Sequence, residues 1–543
     1  MLWLAETMAE NLGDVCKPWI GADGPNHNVA LRLVQPDLSA RDYSFAEVDT
    51  LASQFAHVLT QIGEDSGKVI AILLPKCVEV FASFLGTLKA KSTALPLFSN
   101  FGDLAIVDRL ADCGASCIVA RRASLPRLSR IRASLPALHT ILLVDSEADE
   151  GPGVLSLPAR LRGAQAAFAT RAVADDTPSL IHYTSGSTGK PKGVVHVHGA
   201  AEHIERTMHE IMQVGRDDIY WCTADHGWIT GTSYGIIGPW LLGITQVHYA
   251  GGFDPERWFQ ILQDQRVSVW YTAPTALRML ARAEDVDYRG FDLSHLRSIL
   301  SVGEPLNPEI GRWGKETLNR DIYDTWFQTE TGGIMIANRP GLAVRPGSMG
   351  KPVSSVQAEI LDDGGKAVAP RTTGHLCLRY PWTSMFRDYL GRHETYQAKF
   401  STEFYDSGDL AYRDEDGYFW FAARNDDVIN TSGHLVSPFE VESAVLELTE
   451  VAESAVIGAP DPILFEKIVV FVALRGGHQR SEELQMKIRL HVANRLSATA
   501  TPQDVVFVDS VPKNKSGKIL RRVLRARYLG QDPGDLSTIE DQP

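Results

Sequence analysis

"YTSGSTGKPKGVVH", residues 183–196, packs four small hydroxyl residues, three glycines and two lysines between apolar flanks. Gly186, Gly189 and Gly193 let the backbone turn tightly and point its N–H groups inward. Thr184, Ser185, Ser187 and Thr188 add hydroxyl donors, and Lys190 and Lys192 add positive charge. Such a run suits phosphate. It is not a Walker A loop: Gly189-Lys190 is followed by Pro191, and no glycine stands five residues before Gly189. Nor is it the G-x-G-x-x-G of dinucleotide binders. "IHY" before it and "GVVHVH" after it tie it to buried runs, unlike a free surface loop.

Those flanks belong to a wider alternation. "KVIAILL" reads as a buried strand, "CVEVFASFLGTLKA" as a helix and "STALPLF" as another strand. "RVSVWYTA" leads into a helix opened by Pro274, and "SILSVGE" and "DIYDTWF" are strands ending in polar loops. This pattern predicts an α/β protein, with parallel sheets covered by helices and ligands at strand C-terminal ends. After about residue 426 the pattern changes to a smaller α+β unit. "SEELQMKIRLHVANRL" is its clearest helix, with Ser481 as N-cap and Leu484, Ile488, Val492 and Leu496 on one stripe. The polar turn "RNDDVINTSGH" between the parts is placed to act as a hinge. The expected domains are 1–425 and 426–543.

The chain of 543 residues is too long for one compact domain. Hydrophobic residues make up 44% and charged residues 22%, as in soluble globular proteins. The net charge of -14 argues against a general nucleic-acid binder. Six cysteines are few, and Cys113 and Cys117 lack a zinc-type spacing, so the reading is scattered thiols in a reducing compartment. The N-terminus has no basic n-region and does not read as a secretory signal. The most apolar stretch, 234–253, carries Pro239, Gln246, His248 and several glycines, which argues against a membrane helix. A cytoplasmic enzyme with no membrane partner is the expectation.

Four further runs carry chemistry. In "SVGEPLNP" (301–308) a strand ends at Gly303, where backbone can lie flat against a planar ring. In "YDTWFQTETGG" (323–333) Glu330 is the lone carboxylate among hydroxyls, a candidate Mg2+ ligand near a triphosphate. In "FYDSGDLAYRDEDGYFWFAARNDDVINTSGH" Asp409 suits a ribose hydroxyl pair, with Arg424 behind it. In "VPKNKSGKILRR" Lys518 follows a Ser-Gly turn and is expected to open a basic helix.

Together and in this order the five runs resemble the adenylate-forming superfamily: acyl-CoA synthetases, firefly-luciferase-like enzymes and peptide-synthetase adenylation domains. The resemblance covers essentially the whole chain. It is strongest to AMP-forming acetyl-CoA synthetases, through "YWCTADHGWITGTSYGIIGP", "VSVWYTAPTALRML", "YDTWFQTETGG", "RDYLGRHETYQAKF" and the closing "GDLSTIED". The length is similar to that of the shorter bacterial form, which grades into medium-chain synthetases.

The resemblance implies a large N-terminal domain and a small mobile C-terminal one. It implies that a small carboxylic acid attacks the α-phosphate of Mg-ATP, and that CoA then displaces AMP. Residues 184–192 would hold the β- and γ-phosphates. Thr329 would sit by the α-phosphate and Glu330 by magnesium. Gly303, Glu304 and Pro305 would line the adenine with Asp324 near its amino group. Thr325, Trp326 and Gln328 would complete the nucleotide site, and Asp409 and Arg424 would bind ribose. Lys518 would bridge carboxylate and α-phosphate oxygens as charge develops. Asp426 matches the hinge and Gly433 the CoA tunnel. Relatives are often silenced by acylation of the matching lysine, so a lysine acyltransferase or deacylase acting on Lys518 is an implied partner. Oligomeric state stays open.

The acyl pocket would be Ile229, Thr230, Val302 and Phe327. Trp326-Phe327 departs from the Trp-Trp pair of acetate enzymes, and medium-chain relatives have glycine at the second position. Phenylalanine is the nearly closed intermediate, so acetate or propionate is expected. A medium-chain or aromatic acid is the alternative, as is transfer of the acyl group to a carrier protein; no carrier-like segment follows. A non-catalytic acyl-adenylate sensor fits poorly with Thr329, Glu330, Asp409, Arg424 and Lys518 all in place. Leu435 stands where the family usually has arginine. His226 could meet a polar acyl group but reads better as structural, as do His196 and His198.

Overall fold

The computed structural model of the chain describes residues 11–21, 28–185, 191–283, 286–401, 403–424, 427–431, 434–514, 518–533 and 536. The expected positions Gly186, Ser187, Thr188, Gly189, Lys190, Asp426 and Gly433 lie outside the described residues, as do the side chains of Ser185 and Leu435.

Two large sheets dominate. The nine-stranded sheet is parallel through its middle, from Ile322–Trp326 across Ser298–Val302, Val269–Thr272, Ile219–Cys222 and Thr245–Tyr249 to Val29–Val34. Its outer strands run antiparallel. The eight-stranded sheet is parallel from Pro178–Ser185 to Val154–Ser156, and begins with the antiparallel strands Asp388–Tyr389 and Pro191–Val197. Central strands such as "SILSV" are buried at every position, as parallel strands covered on both faces must be. One apolar cluster takes in residues of both sheets, among them Ile70, Leu180, Tyr220 and Leu300, and of the helices Phe45–Gln61 and Val78–Lys89. Local chemistry sets the helix ends. Ser44 and Glu47 form a capping box, and Pro274 occupies the first turn of Pro274–Ala281.

The expectation of parallel-rich sheets covered by helices holds for these two. A third sheet was not anticipated: Ala358–Leu361, Gly374–Arg379, Phe404–Arg413 and Phe419–Arg424 are wholly antiparallel. Its last hairpin turns on "DEDG", where Gly417 takes φ +82° and Asp414 accepts from the backbone of Asp416 and Tyr418.

The fourth sheet draws all its strands from residues 429–507 and packs with three helices, Pro438–Leu446, Glu482–Arg495 and Arg521–Leu529. Ser481 caps its helix by accepting from the Leu484 backbone, and Leu484, Ile488 and Val492 are buried as expected. Leu496 is not: the helix ends before it and it is 38% exposed. Lys518 does not open a helix either. Leu520 keeps non-helical angles and the last helix begins at Arg521. Instead the Lys518 N–H donates to the Asn514 side chain at 2.9 Å and its carbonyl accepts from the Asn514 backbone.

Residues 234–253 contain helical turns and the buried strand Thr245–Tyr249. Among the described residues no helix is long and apolar enough to cross a membrane, and no cluster of ligating side chains surrounds Cys113 and Cys117.

Candidate active site

A cleft of about 480 Å³ gathers residues from both large sheets, the antiparallel sheet and the C-terminal part. Its phosphate-suited end is a hairpin. Strands Pro178–Ser185 and Pro191–Val197 pair so that Thr184 faces Lys192. The short strand Asp388–Tyr389 adds to that hairpin, with Tyr389 opposite Val194. The Lys192 ammonium lies 5.2 Å from the Tyr389 ring centre, a cation–π contact. The Tyr389 hydroxyl donates to Glu330 Oε1 at 2.8 Å. His196, on the same hairpin, donates from Nε2 to the Thr329 carbonyl at 2.7 Å. Burial holds its pKa down at about 4, so a neutral ring makes this bond. The hairpin thereby positions both Thr329 and Glu330.

The middle of the cleft is formed by Gly303, Glu304, Asp324 and Asp409. Gly303 takes φ +95°, and a Cβ there would meet open space, so glycine is required by the backbone angle rather than by crowding. The carboxylate of Glu304 is engaged by Arg278 and by the Thr275 hydroxyl. Asp324 is buried and accepts from Ser301 Oγ at 2.6 Å; burial raises its pKa to about 7. The Thr325 hydroxyl is spent within the sheet, donating to the Ser301 carbonyl and bonding to Tyr271. Asp409 faces Arg424 across neighbouring strands, and the guanidinium lies 3.0 Å from Oδ1. Its other oxygen accepts from Trp326 Nε1 at 2.9 Å and Gln328 Nε2 at 3.1 Å. Burial raises the pKa of Asp409 and Arg424 opposes that shift.

Lys518 reaches this cleft from the C-terminal part. Its side chain keeps exposed surface because the cleft is open. Desolvation by the cleft walls lowers its pKa, as does Arg424, while Asp427 and Asp409 hold it up. The C-terminal part is fastened here by Asn307 Nδ2, which donates to Ser443 Oγ at 3.0 Å.

Ile229, Thr230, Val302 and Phe327 line the same cleft beside Trp228. Thr329, Pro305, Trp326, Gln328 and Lys192 line it too. The three histidines read as structural, His196, His198 and His226, do not line it. His196 holds a backbone carbonyl, His198 accepts from the Leu12 N–H at 3.1 Å, and His226 faces a separate small hole beside Lys76 and His248. Sequence reasoning missed Tyr389, although its "RDYL" was visible as a motif, and missed Arg278 behind Glu304. Neither residue type announces a role without its partner.

The chain is similar to known proteins over most of its length. The AMP-binding enzyme family matches residues 22–390, and its C-terminal domain matches residues 440–518. An acetyl-coenzyme A synthetase of Bacillus subtilis (strain 168) is 43% identical over 501 residues, covering 92% of this chain and 87% of that one. The structure of the anthranilate CoA ligase AuaEII with anthranoyl-AMP superposes with a TM-score of 0.87 at 28% identity, covering 96% of this chain and 97% of that one. A Brucella canis acyl-CoA synthetase is 32% identical with a TM-score of 0.72, over 96% and 94% of the two chains. This chain belongs to the AMP-binding enzyme family, among the adenylate-forming acyl-CoA synthetases of the acetyl-CoA synthetase type.

Proposed function

We propose that the protein is an AMP-forming acid–CoA ligase for acetate or propionate. A carboxylate attacks the α-phosphate of ATP, acyl-AMP forms as pyrophosphate leaves, and the CoA thiol displaces AMP. The observation that carries this reading is the convergence of Lys518, Asp409, Arg424, Thr329 and Glu330 on one cleft. Adenylation needs positioning and charge neutralisation more than covalent help. Asp409 and Arg424 hold ribose, Asp324 and Gly303 the adenine, and Thr184 and Lys192 the phosphates. Lys518 places its charge between carboxylate and α-phosphate oxygens.

Glu330 with neighbouring hydroxyls is a hard-oxygen donor set with a single carboxylate. That fits Mg2+ held mainly by nucleotide phosphates and water rather than by a protein cage. The cation would neutralise phosphate charge. Asp426 is the hinge and Gly433 keeps the CoA tunnel open, in domains divided at 425/426. The protein works in the cytoplasm, where a lysine acyltransferase acting on Lys518 would switch off adenylation by removing its charge.

The short-chain assignment rests on Phe327. One extra or missing methylene in an apolar pocket is worth roughly 1–3 kcal/mol, so the pocket separates neighbouring acids by only roughly 10–200-fold. AMP release from ATP tests it, with acetate, propionate, butyrate, hexanoate and benzoate, each with and without CoA. A CoA-dependent maximum at two or three carbons is expected. A maximum at hexanoate or benzoate would overturn the substrate, and turnover that ignores CoA would point to a carrier-protein thiol.

A further inference from the structure

Behind the acyl pocket the chain departs from regular helix. Ile229–Thr232 and Gly238–Leu241 are α-helical, but Ser233–Ile237 between them is a π-turn. Such widened turns are rare and concentrate at functional sites. This one is held on every side. The carbonyl of Gly235 accepts from His248 Nε2 at 3.1 Å, and that of Ile236 from Gln246 Nε2 at 3.1 Å. Ser233 Oγ donates to the Gly332 carbonyl at 3.0 Å.

The turn delivers one large side chain, Tyr234, which is fully buried. Its ring meets Phe327 edge-on, with centres 5.5 Å apart at 72°, and meets Tyr271 at 5.9 Å and 90°. Its hydroxyl accepts from the Ile334 N–H at 2.8 Å and bonds to Thr207 Oγ1 at 2.7 Å. A Cβ on Gly333 would lie 3.1 Å from that hydroxyl. Tyr234 is thus held by its hydroxyl and by both ring contacts, while Phe327 is half-buried and lines the cleft.

We propose that Tyr234 is a positioning residue that sets the acyl-chain limit by holding the Phe327 ring across the pocket. This rests on the reading of Phe327 as the pocket wall. An aromatic wall excludes a longer chain only while it cannot swing away, and the clamped ring of Tyr234 blocks that swing. Tyr234 enters from the π-turn Ser233–Ile237, whose carbonyls His248 and Gln246 hold in place.

The measurement is kcat/KM for acetate, propionate, butyrate and hexanoate in wild type, Phe327→Ala, Tyr234→Phe, Tyr234→Ala and Phe327→Ala/Tyr234→Phe. Phe327→Ala raises the butyrate-to-acetate ratio; if it does not, the wall reading itself fails. Tyr234→Ala is expected to raise that ratio ~10-fold and Tyr234→Phe, which frees the ring but keeps it, ~3-fold. A purely structural role would lower every acid alike and leave the ratio alone. A ratio within about twofold of wild type in both Tyr234 variants, or in Tyr234→Phe alone should Tyr234→Ala not fold, overturns the proposal. In the double variant the ratio should match Phe327→Ala alone, since Tyr234 acts through Phe327. A further multiplicative rise would show that Tyr234 meets the chain directly, and would also overturn it.

Discussion

At the scale of the residue, the site depends on side chains whose chemistry is ordinary and whose surroundings are not. Lys518 was legible from a family pattern, but that the last helix begins only at Arg521, after it, was not. The Asn514 side chain takes the Lys518 N–H, and that competes with helix formation at this point. The Lys518 side chain lines a cleft where desolvation and Arg424 lower its pKa and two aspartates restrain that fall. Lys518→Ala should reduce acetate-dependent ATP–pyrophosphate exchange ~10²–10³-fold, the scale of losing one electrostatic stabiliser. Thioester formation from supplied acetyl-AMP should persist. Exchange near the wild-type rate in this variant would remove Lys518 from the adenylation step.

At the scale of the element, the hairpin of Pro178–Ser185 and Pro191–Val197 is the organising piece. Its glycine- and hydroxyl-rich tip advertised phosphate in the sequence. What it does from its flank was hidden: His196 holds the Thr329 carbonyl, and the paired strand Asp388–Tyr389 brings a phenol to Glu330. Tyr389→Phe keeps the ring under Lys192 and removes only the hydroxyl. A hydrogen bond to a charged group contributes ~1.5–3 kcal/mol, so kcat/KM for ATP in the exchange reaction should fall roughly 10-fold or more. The Mg2+ concentration for half-maximal rate should rise with it. An unchanged magnesium dependence would mean that Tyr389 supports the strand but not Glu330.

At the scale of the whole molecule, the buried imidazoles set the response to acid. Burial lowers His182 and His248 to about 3 and His196 and His198 to about 4, against an ordinary 6.5. Between pH 6.5 and those values the unfolded chain binds protons that the folded chain refuses. Stability therefore falls as pH falls through that window, by about 1.4 kcal/mol per pH unit for each group. Asp324 acts with the opposite sign: its folded pKa of about 7 exceeds the unfolded 3.8, so the folded state holds the extra proton between them. Burial also raises Asp409, Glu205, Glu440 and Glu442, but it lowers His203, His209 and His226 with the four above; these seven histidines outnumber the five carboxyls, and the melting temperature should drop from pH 6.5 to pH 4.5. A flat or rising melting temperature over that range would show that the histidines become protonated without unfolding.

The sequence by itself determined the alternation of strands and helices, the N-cap at Ser481, the first-turn proline at Pro274 and the order of five ligand-binding runs. These are local properties: periodicity, capping and backbone freedom act over a few residues. The family resemblance added roles for single positions on the same footing. Only the tertiary structure decided how distant runs combine. Asp409 and Arg424 meet because a hairpin pairs them, Trp326 reaches Asp409 from another sheet, and Tyr389 reaches Glu330 from an edge strand. Tyr234, on the π-turn Ser233–Ile237, packs edge-on against Phe327 from another part of the chain. Such contacts join residues about 15 to 95 positions apart or sit on a local distortion, and side-chain periodicity carries no record of either.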